Sequence, residues 1–226
     1  MKLINRSTLL SLAVAGSLCA CGALPTDIGA LTGGGGGGGG SSMVDAMKDQ
    51  PTMYMVNLPP NPAVGQWWDY SMAGTEQHNA IVAEKDGMLV VEQSMDMGGT
   101  IVVNAWLVDP SVDMMATPRA GEKMAANVSK AWIGAEGAKP VARPVMEVMV
   151  MTEAAGDAPE VDFTEGTESL AIGGKTWNAK WMEVSGAKTW TVDETGFLLK
   201  SEAGGSVNVE LTGWGTDAKP MLDWTE

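Results

Sequence analysis

The sequence predicts a mainly β fold, a curved antiparallel sheet that is half-barrel or sandwich-like, with about one helix. From residue 64 onward, short runs of β-branched and aromatic residues alternate with Gly, Asp and Pro, which is typical of antiparallel strands joined by tight turns. Turn sequences such as Asp86-Gly87 and Gly204-Gly205 separate several of these runs. With 226 residues, 45% of them hydrophobic, the chain is long enough to bury a core in one or two domains.

Residues 1–20 have the features of an export signal. Two basic residues precede an apolar run, residues 9–18, that is too short to span a bilayer as a permanent helix. The run ends in Leu18-Cys19-Ala20-Cys21, which resembles the bacterial lipobox. The resemblance implies cleavage before Cys21 and attachment of acyl chains such as palmitate to that residue. The alternative is an ordinary secretory signal that is cut after Ala23.

Residues 21–62 are expected to form the lipidated cysteine and a disordered, Gly-rich tether. The eight consecutive glycines at 33–40 would lose much backbone entropy on ordering and have no side chain to bury. A phosphate-binding loop would need a Lys-Ser/Thr pair and a helix after the glycines, and the sequence has no such pair there. Within the tether, residues 43–55 fit a short helix with Met43, Ala46 and Met47 on one side.

A single β-rich domain is expected from residue 63 to residue 226. Alternation places Trp177, Ala179 and Trp181 on one side of their strand, which predicts that the strand is half buried. In the first strand, Trp68 and Tyr70 mark the core face. The predicted strands are residues 66–72, 78–84, 88–96, 100–108, 145–151, 175–184, 188–193, 198–202 and 206–212.

One helix is predicted inside this domain, at residues 122–133. Met124, Val128 and Trp132 fall on one stripe at a spacing of four residues, and Gly134 supplies a stop signal. A strongly curved sheet would wrap partly round this helix.

Two segments carry a resemblance to a known family. The sequence VGQWWDY at residues 64–70 looks like the first strand of bacterial envelope lipoproteins, and KTWTVDETGFLLKSE at residues 188–202 looks like their carboxy-terminal hairpin. These proteins are similar to the half-barrel carriers of the lipoprotein-localisation system, and the likeness covers residues 63–226 in the order of elements. In the carriers a curved sheet closes over helices, so the resemblance implies an apolar cavity.

Charge and composition exclude several classes of function. The net charge of −14 argues against nucleic-acid binding, which needs a surplus of Lys and Arg. The two cysteines, Cys19 and Cys21, precede the domain, which therefore holds no disulfide and no cysteine zinc site. His78 is the single histidine, and no Gly-x-Ser-x-Gly nucleophile elbow occurs. We therefore expect no catalytic residues, no cofactor and a non-enzymatic protein.

Methionine is unusually abundant, with 17 residues. Thioethers are soft ligands that select Cu(I), so His78, Met95 and Met97 form a hypothetical copper site. The alternative is that Met replaces Leu as flexible core filling, and this alternative is favoured because Met pairs without nearby His or Cys usually serve packing.

Together these patterns predict a non-enzymatic lipoprotein of the cell envelope, anchored in the outer membrane through Cys21. The outer membrane is what the lipobox resemblance implies, because Gly22 rather than Asp follows the cysteine, and in enteric bacterial lipoproteins Asp there is the usual signal for retention at the inner membrane. The β domain is expected to bind an apolar small molecule or an envelope protein. The alternative function is a periplasmic Cu(I)-binding protein that uses Met thioethers and the single His.

Overall fold

The structure is a computed structural model that describes residues 39–116, 118–151, 162–193 and 195–225. Its elements are α1 (Gly39–Met47), β1 (Trp67–Met72), β2 (Thr75–Lys85), β3 (Met88–Asp96), β4 (Ile101–Val108), β5 (Val128–Ala135), β6 (Val141–Arg143), β7 (Phe163–Ile172), β8 (Lys175–Val184), β9 (Ala187–Val192), β10 (Leu198–Ala203) and β11 (Ser206–Gly215). All 11 strands belong to one antiparallel sheet, in the order β6-β5-β4-β3-β2-β1-β11-β10-β9-β8-β7. The predicted mainly β fold with one curved sheet is confirmed.

Tight two-residue turns set the register of this sheet. Asp86 and Gly87 have φ values of 55° and 77°, and the strands on either side pair from Lys85 with Met88. Gly204 and Gly205 make the same kind of turn, with φ values of 59° and 79°. Positive φ at both central residues is the geometry that matches the twist of the flanking strands. The turns predicted at these two positions are therefore confirmed.

Curvature brings distant strands of the sheet together. Four strand spacings separate β7 from β11, which is about 19 Å in a flat sheet. In the structure, Gly173 of the β7–β8 turn lies so close to β11 that an added Cβ would be 2.8 Å from the Leu211 side chain. The β7–β11 part of the sheet therefore curls back on itself.

The inner face of the sheet is the side that carries Trp68, Tyr70 and Trp177, and it holds the largest hydrophobic cluster. Trp68 and Tyr70 are 3% and 8% exposed, which confirms that theirs is the core face of the first strand. Trp177 and Ala179 are buried and Trp181 packs against the same cluster, as the alternation in β8 predicts.

The outer face, which carries Ala80, Val82 and Val90, is covered by the carboxy-terminal segment. Leu222 and Trp224 of this segment pack against strands β3–β5. The fully buried Glu92 holds the segment, because its carboxylate accepts hydrogen bonds from the backbone N–H of Met221 (2.6 Å) and the indole N–H of Trp224 (2.7 Å).

Residues 52–60, called the strap below, run across the inner face. Tyr54 and Val56 are buried, and Thr52 is joined to Val145 by an isolated parallel β-bridge. Asn127 binds the strap through two hydrogen bonds of 2.8 Å, one from the Val56 N–H to its Oδ1 and one from its Nδ2 to the Val56 carbonyl.

The folded unit begins before residue 63, so the predicted boundary of the tether needs correction. Helix α1 contains Met43 and Met47, which pack with Val44 against Val102 and Ile133. Of the side predicted for a helix at residues 43–55, Met43 and Met47 do pack, but Ala46 is exposed and Val44 is buried instead, and the helix starts and ends earlier. Residues 1–38, including most of the glycine run, lie outside the described residues.

The predicted helix at residues 122–133 is wrong. Its second half lies in β5, where Trp132 pairs with Ala105 and Ile133 with Asn104 of the neighbouring strand β4. The spacing of four residues between Val128 and Trp132 is compatible with a strand as well, because it is a multiple of two. Pairing with an apolar strand of the sheet decides between the two structures.

Three further corrections concern the strands: one predicted strand is wrong, and two strands were not predicted. The predicted strand at residues 145–151 does not join the sheet and makes only isolated bridges, Thr52 with Val145 and Lys123 with Val150. Strands β6 and β7 were not predicted. In β7 most residues are exposed or half-buried, so the alternation of apolar side chains is weak there.

Candidate functional site

A pocket of about 90 Å³ lies between the strap and the inner face. Met53, Val56 and Asn57 of the strap line one side. The sheet contributes apolar and aromatic residues from several strands. These residues are Trp68, Tyr70, Met72, Val91, Trp106, Leu198 and Val209. Met53 and Met72 are only partly buried, so they lie at the mouth, where the pocket opens to solvent.

Besides Asn57 of the strap, three amide side chains of the sheet line the pocket: Gln77, Asn79 and Gln93. Gln77 and Asn79 are 7% and 4% exposed and lie two residues apart on β2, so both point to the inner face. Gln93 lies directly opposite Asn79 on β3. The sheet thus places a small polar group within an otherwise apolar wall.

Asn79 connects the three amides. Its Oδ1 accepts hydrogen bonds from the Nε2 of Gln77 (3.0 Å) and the Nε2 of Gln93 (3.2 Å). Its Nδ2 donates to the carbonyl of Trp68 at 3.2 Å. The buried amides are therefore held in fixed positions rather than left free to rotate.

Aromatic residues fix the rest of the wall. The Tyr70 hydroxyl donates to the Leu198 carbonyl at 2.6 Å, and burial raises the pKa of Tyr70 far above its usual range, so the phenol stays neutral. The indole N–H of Trp106 donates to the Thr52 hydroxyl at 3.2 Å, which ties the strap to the sheet.

The pocket is lined entirely by uncharged side chains. Moving an ion into such a site is costly, because nothing in the wall compensates for the loss of its hydration. Burial of apolar groups, by contrast, is favourable in proportion to the area that is removed from water. The arrangement is suited to binding a small neutral molecule.

The structure separates the residues of the hypothetical copper site. His78 lies opposite Asp69 and Ser94 on the outer face, whereas Met95 lies opposite Gln77 on the inner face. Met97 packs near helix α1. These three side chains do not converge, so the hypothetical Cu(I) site, the less favoured of the two interpretations, is not assembled from them. Among the described residues, no group of three or more His, Cys, Asp or Glu side chains could hold a metal ion.

His78 makes a structural contact instead. Its Nδ1 lies 2.6 Å from the Asp69 carboxylate, and its ring is 5.8 Å from that of Trp67. Ser94 is the next residue across the sheet, but no hydrogen bond joins its hydroxyl to the imidazole in the described part of the chain. The row Asp69, His78 and Ser94 therefore lacks the connected geometry of a catalytic triad.

The predicted lipid attachment site, Cys21, lies outside the described residues. Within the ranges that the structure describes, no helix is long and apolar enough to cross a membrane.

Sequence reasoning missed the pocket amides. The available signal was the polar pair Gln77 and Asn79 at a spacing of two residues, immediately before the apolar run of β2. Polar residues at this spacing are typical of a solvated face, so the pattern alone indicates exposure rather than burial. The strap that covers them is contributed by a segment expected to be a tether.

Comparisons with known proteins give no relative on which to base a function. No protein-family model matches the chain, and no curated protein or solved structure shows significant similarity to it.

Proposed function

We propose that the chain is a non-enzymatic, lipid-anchored protein of the outer membrane whose β domain binds a small apolar molecule in the pocket beneath the strap. The observation that carries the proposal is the pocket, because its aromatic and aliphatic wall offers a neutral ligand a site sheltered from water. The lipobox-like sequence that ends at Cys21 supports the anchor.

The size of the pocket limits the ligand. A volume of about 90 Å³ is less than that of a cavity of roughly 150 Å³ lined by Leu, Ile and Phe, which binds benzene. A ligand of one ring or a short branched chain would fit partly inside the pocket and partly at its mouth. A whole acyl chain would require the strap to move.

Methionine methyl NMR of the full chain in lipid nanodiscs tests the binding proposal. Toluene is the probe, and empty nanodiscs measure its partition into lipid. We expect saturable shifts of the methyl signals of Met53 and Met72, which line the pocket. We expect no shift at Met149, which lies outside the pocket lining and is 60% exposed. Absence of saturable shifts at Met53 and Met72 would overturn the proposal.

A pocket-filling variant provides the matched control. Val209 is 3% exposed and lines the pocket, so Val209→Phe is expected to occupy the space and abolish the toluene shifts. If this variant does not fold, Met72→Trp at the mouth gives the same test. Unchanged binding in a folded, filled variant would place the toluene elsewhere.

Metabolic labelling with a radioactive fatty acid tests the anchor. We expect the label in the wild type and in Cys19→Ser, and its loss in Cys21→Ser. Label retained by Cys21→Ser, or absent from the wild type, would contradict lipidation at that residue.

A further inference from the structure

We infer that the pocket prefers a neutral ligand carrying one group that both donates and accepts hydrogen bonds, such as a carboxamide or a hydroxyl, on a small apolar body. This inference rests on the proposed function and specifies its class of ligand. Its basis is the hydrogen bonding of Gln77 and Trp68, two side chains that line the pocket.

Asn79 has little capacity left for a ligand. Its Oδ1 already accepts two hydrogen bonds and its Nδ2 already donates one. Its role is to orient the neighbouring Gln77 and Gln93, each of which donates one Nε2–H to it. The acceptor oxygen of Gln77, Oε1, has no hydrogen-bond partner among the residues that the structure describes.

The indole N–H of Trp68 is likewise without a hydrogen-bond partner in the described residues, although only 3% of this residue is exposed. No fully buried side-chain nitrogen or oxygen in that part of the chain lacks a partner. The Trp68 N–H and the Gln77 Oε1 must therefore reach accessible space, and both side chains line the pocket. The pocket thus offers at least one donor and one acceptor.

The Trp68 N–H and the Gln77 Oε1 together determine which ligands the pocket prefers. A carboxamide or hydroxyl can accept from the indole N–H and donate to the glutamine oxygen, whereas a hydrocarbon leaves both groups without a ligand partner. A carboxylate cannot donate, and its charge has no compensating cation in the wall. Three probes of similar shape separate these cases: benzamide, benzoate and toluene.

Their affinities are measured by methionine methyl NMR of the full chain in nanodiscs, from the signals of Met53 and Met72. We expect benzamide to bind roughly tenfold more tightly than toluene. Benzoate is expected to cause no saturable shift. Equal affinities of benzamide and toluene, or tight binding of benzoate, would overturn this inference and leave the proposed function standing. Failure of both benzamide and toluene to bind would overturn both.

Variants assign the preference to the two polar groups. Gln77→Leu is expected to bring the affinity for benzamide to within about twofold of that for toluene. Gln50→Leu is the matched control, because Gln50 is exposed and outside the pocket lining. If Gln77→Leu does not fold, Trp68→Phe removes the donor and keeps the ring. Retention of the full preference in a folded variant of either residue would exclude that residue from ligand selection.

Discussion

Replacing Asn127 by alanine is expected to release the strap and lower the free energy of unfolding by about 2–6 kcal/mol. Asn127 is 4% exposed, and its two 2.8 Å hydrogen bonds satisfy the N–H and the carbonyl of Val56, which is itself 8% exposed. Alanine leaves both backbone groups without these partners. Each unsatisfied buried group costs about 1–3 kcal/mol, which gives the range for two groups.

Urea unfolding of the full chain in nanodiscs, followed by tryptophan fluorescence, measures this loss. Asn178→Ala is the matched control, because Asn178 is exposed on β8, and we expect it to change the free energy of unfolding by less than about 0.5 kcal/mol. Limited proteolysis should also cut the Asn127→Ala variant within residues 52–60 faster than the wild type. An Asn127→Ala variant as stable as the control would refute the argument that these two bonds hold the strap.

Three further predictions concern other parts of the fold. Glu92→Gln should lower the free energy of unfolding by about 2 kcal/mol in urea titrations, because an amide NH₂ replaces an oxygen that accepts hydrogen bonds from backbone or Trp224 N–H groups. Unchanged stability would contradict the role of the carboxylate in holding the carboxy-terminal segment. Gly166→Ala should cost about 1–3 kcal/mol in the same assay, since its Cβ would lie 2.7 Å from the Trp181 ring, and a neutral effect would mean that the ring has room to shift. Burial raises the pKa of Tyr70, so the folded state keeps a proton that the unfolded chain loses near pH 10. The free energy of unfolding should therefore fall as the pH rises above about 10, and fall less steeply in Tyr70→Phe; equal slopes would contradict the assignment to Tyr70.

Local sequence patterns were sufficient to predict most of the sheet. Strands β3 and β8 begin and end at the predicted residues, because each is bounded by turn residues. The core face of β1 followed from Trp68 and Tyr70. The ends of a strand and its core face depend on residues that are close together in the chain, so they can be predicted from the sequence.

Features that depend on distant contacts could not be predicted. Strand β5 has a helix-compatible spacing between Val128 and Trp132, and its identity is decided by pairing with β4. The pocket requires the strap to lie over Gln77 and Asn79, which are at least 17 residues away from it in the chain. Burial of polar residues by a remote segment leaves no periodic signal in either part of the sequence.

The occupant of the pocket can be located by intermolecular nuclear Overhauser effects between toluene and methionine methyl groups of the full chain in nanodiscs. If the pocket beneath the strap is the binding site, the aromatic protons of toluene will show contacts with the methyl groups of Met53 and Met72, and Val209→Phe will remove them. Contacts only with exposed methionines such as Met146 and Met149, or contacts that persist in the filled variant, would contradict a ligand site beneath the strap.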